Sequence, residues 1–412
     1  MKQLAHPTLP STLDHQTASS TTWDAIVIGA GLAGSLAALG LARLGRKVLL
    51  IERSTFPRSK VCGACLNMDA VESLRVAGCW PAVESIGGHA LENYQLHCKG
   101  KSLKLALPGG HAVSRDAMDW VLAKQACTEG AAFLCDTHVR IHSHHDSHVE
   151  LVDPHKRTYR SKLVVDASGL SAKSGNESSG QDAFENQTVV AQDSRIGLGA
   201  SWQVAPQHSA SVIEPGTIYM TVASSGYVGL VITERATINL AAAVDRASVR
   251  QLGPASACRE ILETCDLKLD DGLESTHIAG TTTLTRRRKV AGDHRVLFAG
   301  DSSGYVEPFT GEGMAWALRA GLGVVEFADE AIDHWSPEIP LRWTHHLKQL
   351  IGPQKKRCRL ISRTLRHPSL VRFSVGALSL FPPIGQFAVD SIQQARSLPV
   401  SNRRPWNRCP AS

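Results

Sequence analysis

Asp24-Ala25-Ile26-Val27-Ile28-Gly29-Ala30-Gly31-Leu32-Ala33-Gly34 runs from a short apolar segment into the pattern G-x-G-x-x-G. The apolar run reads as a parallel strand buried on both faces. The small and aliphatic residues Leu32 to Leu44 then form one helix, with Gly45 at its C-cap. Gly29 permits the tight turn, Gly31 lets the backbone approach a pyrophosphate, and Gly34 brings helix and strand close. Ala30, Leu32 and Ala33 complete the turn, and the helix N-terminus points its free N–H groups at phosphate. A second apolar strand, Lys47 to Ile51, ends at Glu52, which can accept hydrogen bonds from an adenosine ribose, with Arg53 beside it. Strand, turn, helix, strand and acid stand in register, which predicts an α/β fold that binds a dinucleotide.

Two further strand ends choose among dinucleotides. Val164-Val165-Asp166-Ala167-Ser168-Gly169 ends a strand in D-A-x-G, and Leu297-Phe298-Ala299-Gly300-Asp301-Ser302 ends one in G-D. Asp301 can accept from ribityl hydroxyls. The following loop, through Pro308, Phe309, Thr310, Gly311, Glu312, Gly313 and Met314, can turn helix N–H groups toward the flavin edge where charge collects on reduction. An enzyme that binds only NAD needs neither element, so the expected cofactor is FAD, with NAD(P)H as a candidate transient electron donor. Arg286-Arg287-Arg288 could meet the phosphates of that donor, but reads first as a solvated strand edge.

With 43% hydrophobic and 20% charged residues over 412 positions, the chain has the composition of a globular protein with a sizeable core. Ser114 to Gly130 reads as an amphipathic helix with Arg115 in its first turn. His138 to Val165 reads as a three-stranded meander turning near His145 and Pro154, with Val139 at its start as a further cofactor contact. Long β segments fill Val189 to Val244. The last seventy residues read as helices separated by Pro353, Pro368 and Pro382-Pro383. The expected division is a disordered tail, 1–22; a discontinuous FAD-binding domain, 23–90, 112–185 and 290–340; a β-sheet substrate domain, 91–111 and 186–289; and a basic helical segment, 341–412.

Ten cysteines without small-domain spacing, and the lack of a secretory h-region at the N-terminus, favour a reducing, cytoplasmic setting. Cys62-Gly63-Ala64-Cys65 has no second ligand pair to complete a zinc site. His138, His142, His144, His145 and His148 read as a surface hairpin, so no metal is expected. No run reaches the roughly 18 apolar residues of a spanning helix, since Phe373 to Val389 is interrupted by two prolines. From Leu341 onward thirteen basic residues face one acid, Asp390, a formal +12, against −6 for the remainder (31 basic, 37 acidic). That segment can contact an anionic membrane peripherally or serve as a lid. No nucleic-acid-binding module accompanies it.

Taken in order, the three flavin signals resemble the p-hydroxybenzoate-hydroxylase-type flavoproteins. Over roughly Asp24 to Gly323 the chain looks most like the geranylgeranyl reductase family. Lys60-Val61-Cys62-Gly63 matches that family's K-x-C-G segment beside the flavin, and Pro308 to Gly313 matches its P-x-T-G-E-G loop. Arg115 matches the superfamily's arginine near the ribityl and phosphate region. The resemblance implies a Rossmann-type (GR2-like) FAD-binding domain interleaved with a β-sheet substrate domain, plus C-terminal helices. It also implies cofactor contacts at Lys60, Cys62 and Gly63, and a thiol at Cys62 that orients substrate or assists proton delivery. The chain departs from the family in two places. Ala64 and Cys65 replace a second glycine, and the aromatic G-Y-x-W-x-F-P segment appears as Gly226-Tyr227-Val228-Gly229-Leu230-Val231. Three functions follow as expectations: a reductase passing hydride from reduced FAD to a C=C bond of an apolar isoprenoid, polyketide or quinone-like substrate; an NAD(P)H-dependent monooxygenase; or an electron carrier with no substrate of its own.

Overall fold

The computed structural model describes residues 7–171, 188–204, 213–264 and 272–380, together with 383, 386, 405 and 406. Five parallel strands form the centre of its first, eight-stranded sheet: β1 (Thr22–Ile28), β2 (Val48–Ile51), β3 (Ala132–Leu134), β4 (Thr158–Asp166) and β5 (Val296–Phe298), in the order β5-β4-β1-β2-β3. Ile28 pairs with both Ile51 and Asp166, Asp166 with Phe298, and Ile51 with Leu134. The carboxyl ends of all five strands therefore lie along one edge, the edge at which doubly wound sheets bind ligands.

Alternation along β1 distributes its side chains between two cores. Ala25 and Val27 face α1 (Leu32–Arg43), α2 (Arg115–Thr128) and α3 (Gly313–Asp333), whereas Ile26 faces the side carrying Val139, Ile141, Val149, Leu151 and Tyr159. The latter residues belong to the expected meander, whose strands are Arg140–His144, Val149–Val152 and β4. Two glycines set the distance between β1 and α1. Gly29 has φ +95°, and a Cβ there would stand 2.6 Å from the Ala167 carbonyl oxygen. A Cβ on Gly34 would stand 1.8 Å from the Gly29 carbonyl oxygen.

A second sheet of seven strands follows the order 279–283, 196–203, 237–244, 226–233, 217–223, 93–98, 101–106. Along Gly226–Thr233, Val228, Leu230 and Ile232 pack outward against the helix Pro254–Glu263. Tyr227 and Val231 face inward, toward the first sheet's loops. The inner face is thus the one presented to the strand-end edge of the first sheet.

Three expectations are corrected. Residues 7–22 are not a disordered tail: His15–Ser20 is helical, Ala18 is fully buried, and β1 begins at Thr22. The segment is held by distant groups, with Phe133 N–H donating to Thr12 Oγ1 at 2.7 Å and the His15 ring meeting the Tyr159 hydroxyl at 2.9 Å. Residues 1–6 lie outside the described set. Pro353 does not break a helix but sits inside α4 (Ile339–Thr364), whose continuous buried face of Trp343, Leu347, Leu350, Ile351 and Cys358 outweighs one lost hydrogen bond. Pro368 opens α5 (Pro368–Leu380), as expected of proline in a first turn, and most of Phe373 to Val389 beyond it lies outside the described residues. Finally, Arg286–Arg288 is a central strand between Thr188–Val190 and Gly304–Tyr305. Its Arg288 guanidinium stacks 3.9 Å from the Phe298 ring centroid; Arg286 and Arg288 are half-buried, and Arg287 is the exposed member of the three. Among the described residues no helix is long and apolar enough to cross a membrane.

Gly34→Ala tests the contact between β1 and α1. Its methyl has no room without parting helix from strand, so we expect a loss of about 1–3 kcal/mol or more, seen as a lowered thermal midpoint. An unchanged midpoint would show that the two elements are not held this closely.

Candidate functional site

Helices α1 and α3 both begin at the strand-end edge, and neither has a side-chain N-cap. By contrast, Ser114 caps α2 and Asn67 caps the helix Met68–Val76. The uncapped termini leave N–H donors for an outside acceptor.

Around the α1 terminus stands a chain of alternating charges. Ala30 N–H and Ser54 N–H donate to the Glu52 carboxylate at 3.0 and 3.2 Å, and Arg58 donates to it at 3.0 Å. Arg58 also pairs with Asp119 at 3.0 Å, and Asp119 takes a two-pronged contact from Arg115, both bonds 3.0 Å. Burial alone would raise Asp119, but the Arg115 and Arg58 guanidiniums outweigh it and hold the carboxyl below its usual range. Lys60 completes the cluster. A Cβ built on Gly31 would find Lys60 Nζ at 3.1 Å, Arg115 Nη2 at 3.7 Å and Arg58 Nη2 at 3.8 Å, so three cations converge on the space before the glycine turn. That space fits a pyrophosphate. Lys60 is open to the cleft yet enclosed by protein, and burial, then Arg58 and Arg115, push its ammonium down to about 8.

Beside it an open cleft is lined by Gly29, Glu52, Arg53, Lys60, Val139 and Asp166, among others. The sequence-predicted residues of the nucleotide end are therefore neighbours. Asp166 is occupied internally: its carboxylate accepts from Ser168 N–H and hydroxyl at 3.0 and 2.6 Å and so shapes the D-A-S-G turn. Gly169, with φ +83°, begins the short helical turn Gly169–Ser171.

The other end of the site lies between α3 and the second sheet. Burial raises the Asp301 carboxyl, while Lys60, Arg115 and Lys355 oppose that shift, which places these three cations around it. The Cys62 thiol lies within electrostatic reach of the Arg115 guanidinium. Its loop is fastened to the second sheet: Asn239 Nδ2 donates to Cys62 O at 2.9 Å, and Val61 Cα would meet a Cβ on Gly199 at 3.1 Å. Cys65 is buried, and its thiol donates to Gly63 O at 3.1 Å. Of the C-x-x-C pair, then, Cys62 is the thiol beside the cations.

Pro308, Gly311, Gly313 and Met314 bring the loop to the α3 N-terminus, but Glu312 turns away. Its carboxylate accepts from Thr310 at 2.6 Å and lies 3.7 Å from Arg357 of α4. The same helix holds the loop through Lys355, which donates to Gly304 O at 2.7 Å, and through Cys358, which donates to Glu307 O at 3.1 Å.

Arg58, Asp119, Tyr305 and Lys355 were not singled out from sequence. The Tyr305 hydroxyl lies 3.2 Å from where a Gly313 Cβ would be, close to Asp301 and Cys62. A signal for Arg58 existed in its two-residue spacing from Lys60. The other three come together only through tertiary packing. In the histidine-rich hairpin His145, His148 and Glu150 approach one another, but the imidazoles stack at 4.3 Å and 10°, so their lone pairs do not converge. Glu150 is meanwhile engaged by Arg160 at 2.8 Å.

An uncapped helix after a glycine turn, an acid on the next strand, and a second uncapped helix after a G-D strand end define a flavin adenine dinucleotide protein of the doubly wound class. The chain belongs to the FAD binding domain family, whose model matches residues 22–321. It is 28% identical over 329 residues to menaquinone reductase of Mycobacterium tuberculosis, covering 74% of this chain and 76% of that protein. It is 33% identical to squalene epoxidase of Saccharomyces cerevisiae over 90 residues, 22% of this chain and only 18% of that protein. Among solved structures it superposes on a flavin-dependent brominase with TM-score 0.70 at 16% identity, covering 90% of this chain and 94% of the other. A probable FAD-dependent monooxygenase from Pseudomonas aeruginosa gives 0.65 at 16% identity, covering 87% and 100%. FAD is the cofactor, and the protein is an oxidoreductase.

With Lys60 against the pyrophosphate, FAD affinity is expected to depend on pH. A pyrophosphate beside it raises its pKa above the free-protein value of about 8, so binding takes up a proton above that pH. Affinity is expected to be full below about 8 and to weaken as pH rises past it. Fluorescence titration of the apoprotein with FAD at a series of pH values checks this, and Lys60→Gln should flatten the profile. A wild-type profile that is already flat would place the pyrophosphate elsewhere.

Proposed function

We propose that this protein is a reductase that passes hydride from reduced FAD to a C=C bond of an apolar, isoprenoid or quinone-like substrate. The observation that carries this reading is the long, nearly collinear match to menaquinone reductase, which spans three quarters of both chains. The squalene epoxidase match is too short to speak for a substrate, and the structural neighbours speak for the fold alone.

Bound FAD supplies the hydride; the rest is the work of this chain's residues. The α1 N-terminus with Lys60, Arg58 and Arg115 neutralises the pyrophosphate, Glu52 accepts from the ribose, and Asp301 accepts from the ribityl chain. The uncapped N-terminus of α3 favours negative charge at the flavin edge. On the substrate side, the inner face of the second sheet supports an apolar occupant. Where the geranylgeranyl reductase family has a tryptophan and a phenylalanine, this chain has Gly229, whose place is filled by the Met220 side chain 3.1 Å from where a Cβ would be, and Val231, packed against Ala64 and Cys65. Tyr227 remains and meets Phe309 of the flavin loop edge-on at 5.0 Å, closing that side with aromatic carbon. The Cys62 thiol, between Arg115 and Tyr305, is in position to orient substrate or return a proton after hydride transfer.

Product mass decides the reaction. With chemically reduced enzyme, prenylated quinones and polyprenyl lipids, and no O₂, the reductase reading expects a product heavier by two hydrogens. A product gaining one oxygen only when O₂ is present would make the protein a monooxygenase. Flavin reoxidised solely by a partner protein would make it a carrier.

Two substitutions test individual residues. Gly31→Asp supplies a carboxylate to the three cations in place of phosphate, so the variant is expected to fold and to lose most of its FAD. Undiminished FAD content would sink the cradle assignment. Cys62→Ala is expected to keep its FAD and to lose at least about tenfold in turnover, roughly 1.4 kcal/mol of barrier. Full activity would reduce Cys62 to packing.

A further inference from the structure

Four of the large hydrophobic side chains most exposed to solvent belong to one region of the surface. Val189 is 64% exposed on the strand Thr188–Val190, Leu360 is 68% exposed on α4, and Leu370 and Phe373 are 49% and 74% exposed on α5. The elements are joined. Val189 pairs with Arg287, Arg287 lies within electrostatic reach of Arg359 on α4, and Arg366, between α4 and α5, forms an ion pair with Asp193 just past the valine strand.

The α5 helix is apolar on two sides. Val371 and Val375 are buried against Leu103, Leu105, Met220 and Tyr227 of the second sheet's core, so that side has its partner. Leu370 and Phe373, three residues apart, point away from it into solvent.

Cations frame these side chains. Residues 341–380 carry nine Lys and Arg and no acid. Within the region, Arg287, Arg359 and Arg363 have no carboxylate at ion-pair distance among the described residues. The nearby acids Asp193 and Asp245 are already taken by Arg366 and, for Asp245, by Arg195. Burial, then Arg287 and Arg363, push Arg359 below its ordinary value, against the weaker pull of Asp193, as crowded cations do.

We propose that this region, formed by Val189 and Arg287 with Arg359, Leu360, Leu370 and Phe373, is a docking surface for an anionic lipid bilayer. Aliphatic and aromatic side chains enter the headgroup boundary while the guanidiniums bind lipid phosphates; each contribution is weak alone and the two add at one interface. A nucleic acid would satisfy the cations equally well but leaves Val189, Phe373 and the two leucines exposed to water, which is why lipid is favoured. The surface also borders the site. The strand Arg286–Arg288 pairs on one side with Val189 and on the other with Gly304–Tyr305 at the flavin loop. A bilayer-borne apolar substrate would thus be delivered beside the cleft. That last point rests on the reductase reading; docking itself does not.

The test is flotation of the FAD-loaded full chain with vesicles of phosphatidylcholine alone and with phosphatidylglycerol added, at low and high salt. Binding is expected only to the anionic vesicles and is expected to weaken with salt. Arg359→Gln with Arg363→Gln, and separately Leu360→Ser with Phe373→Ser, should each weaken binding on the order of tenfold. Flavin absorbance and thermal midpoint serve to show that these variants are folded. Equal recovery off the vesicles with and without anionic lipid would overturn the proposal. So would undiminished binding by both folded double variants, or duplex DNA that displaces the protein from vesicles and binds it as tightly after Leu360→Ser with Phe373→Ser. Vesicle binding reads nothing of turnover, so its failure leaves the hydride-transfer reading untouched.

Discussion

The charge chain Glu52–Arg58–Asp119–Arg115 behind the glycine turn is the interaction on which the site depends. Asp119 is fully buried and Glu52 nearly so, and burying either carboxylate without cations would be prohibitive. The cations, in turn, are aimed by those acids at the space before Gly31. Four separate segments contribute: the β2 end, the loop carrying Arg58 and Lys60, the first turn of α2, and the β1–α1 turn itself. Neutral balance within the chain leaves Lys60 without an acid of its own at ion-pair distance among the described residues. It is the group whose charge a phosphate would complete.

The flavin end is organised by a different constraint, namely how the loop after β5 is held. Glu307 is buried and pairs with buried Arg195 at 3.2 Å, while Cys358 and Ser362 of α4 both donate to its carbonyl. Burial raises the Glu307 carboxyl and Arg195 opposes that shift. Because Arg195 leads into the second sheet and Cys358 belongs to the C-terminal helix, the loop is clamped from two bodies at once. The position of the α3 N-terminus relative to the substrate face is therefore set by packing outside the nucleotide-binding unit.

Much of this was legible in the sequence, for identifiable reasons. The βαβ unit shows itself because each element carries its own periodicity and the glycines answer local steric demands, as at Gly34. Gly45 and Gly130 marked two helix ends correctly, both at positive φ. Tertiary partners stay hidden from such rules. The helix His15–Ser20 is too short to announce itself and is held by Phe133 and Tyr159, more than a hundred residues away. Pro353 looked like a boundary because the rule is local, whereas α4 is held along its whole buried face. Asp119 reads as one more polar position on an amphipathic helix until α2 is docked, and Lys355 as one of many basic residues until its ammonium is found on Gly304 O.

The departures from the geranylgeranyl reductase pattern take on meaning once the second sheet is in view. Gly229 and Val231 lie on its inner face, where Met220 and the Ala64–Cys65 loop fill the place of the two aromatic rings, apart from the charge chain at Gly31. Ala64, with φ +56°, holds the left-handed turn that sets Cys62 toward Arg115 and sends the Cys65 side chain inward. On the proposed reading, cofactor binding and substrate choice fall to separable parts of one chain: the charge chain at Gly31 would answer to the pyrophosphate, and the inner face of the second sheet to the substrate. The nucleotide signature reads plainly because its glycines and acid meet local steric and hydrogen-bonding demands, whereas the inner face is set by tertiary packing that no short segment announces.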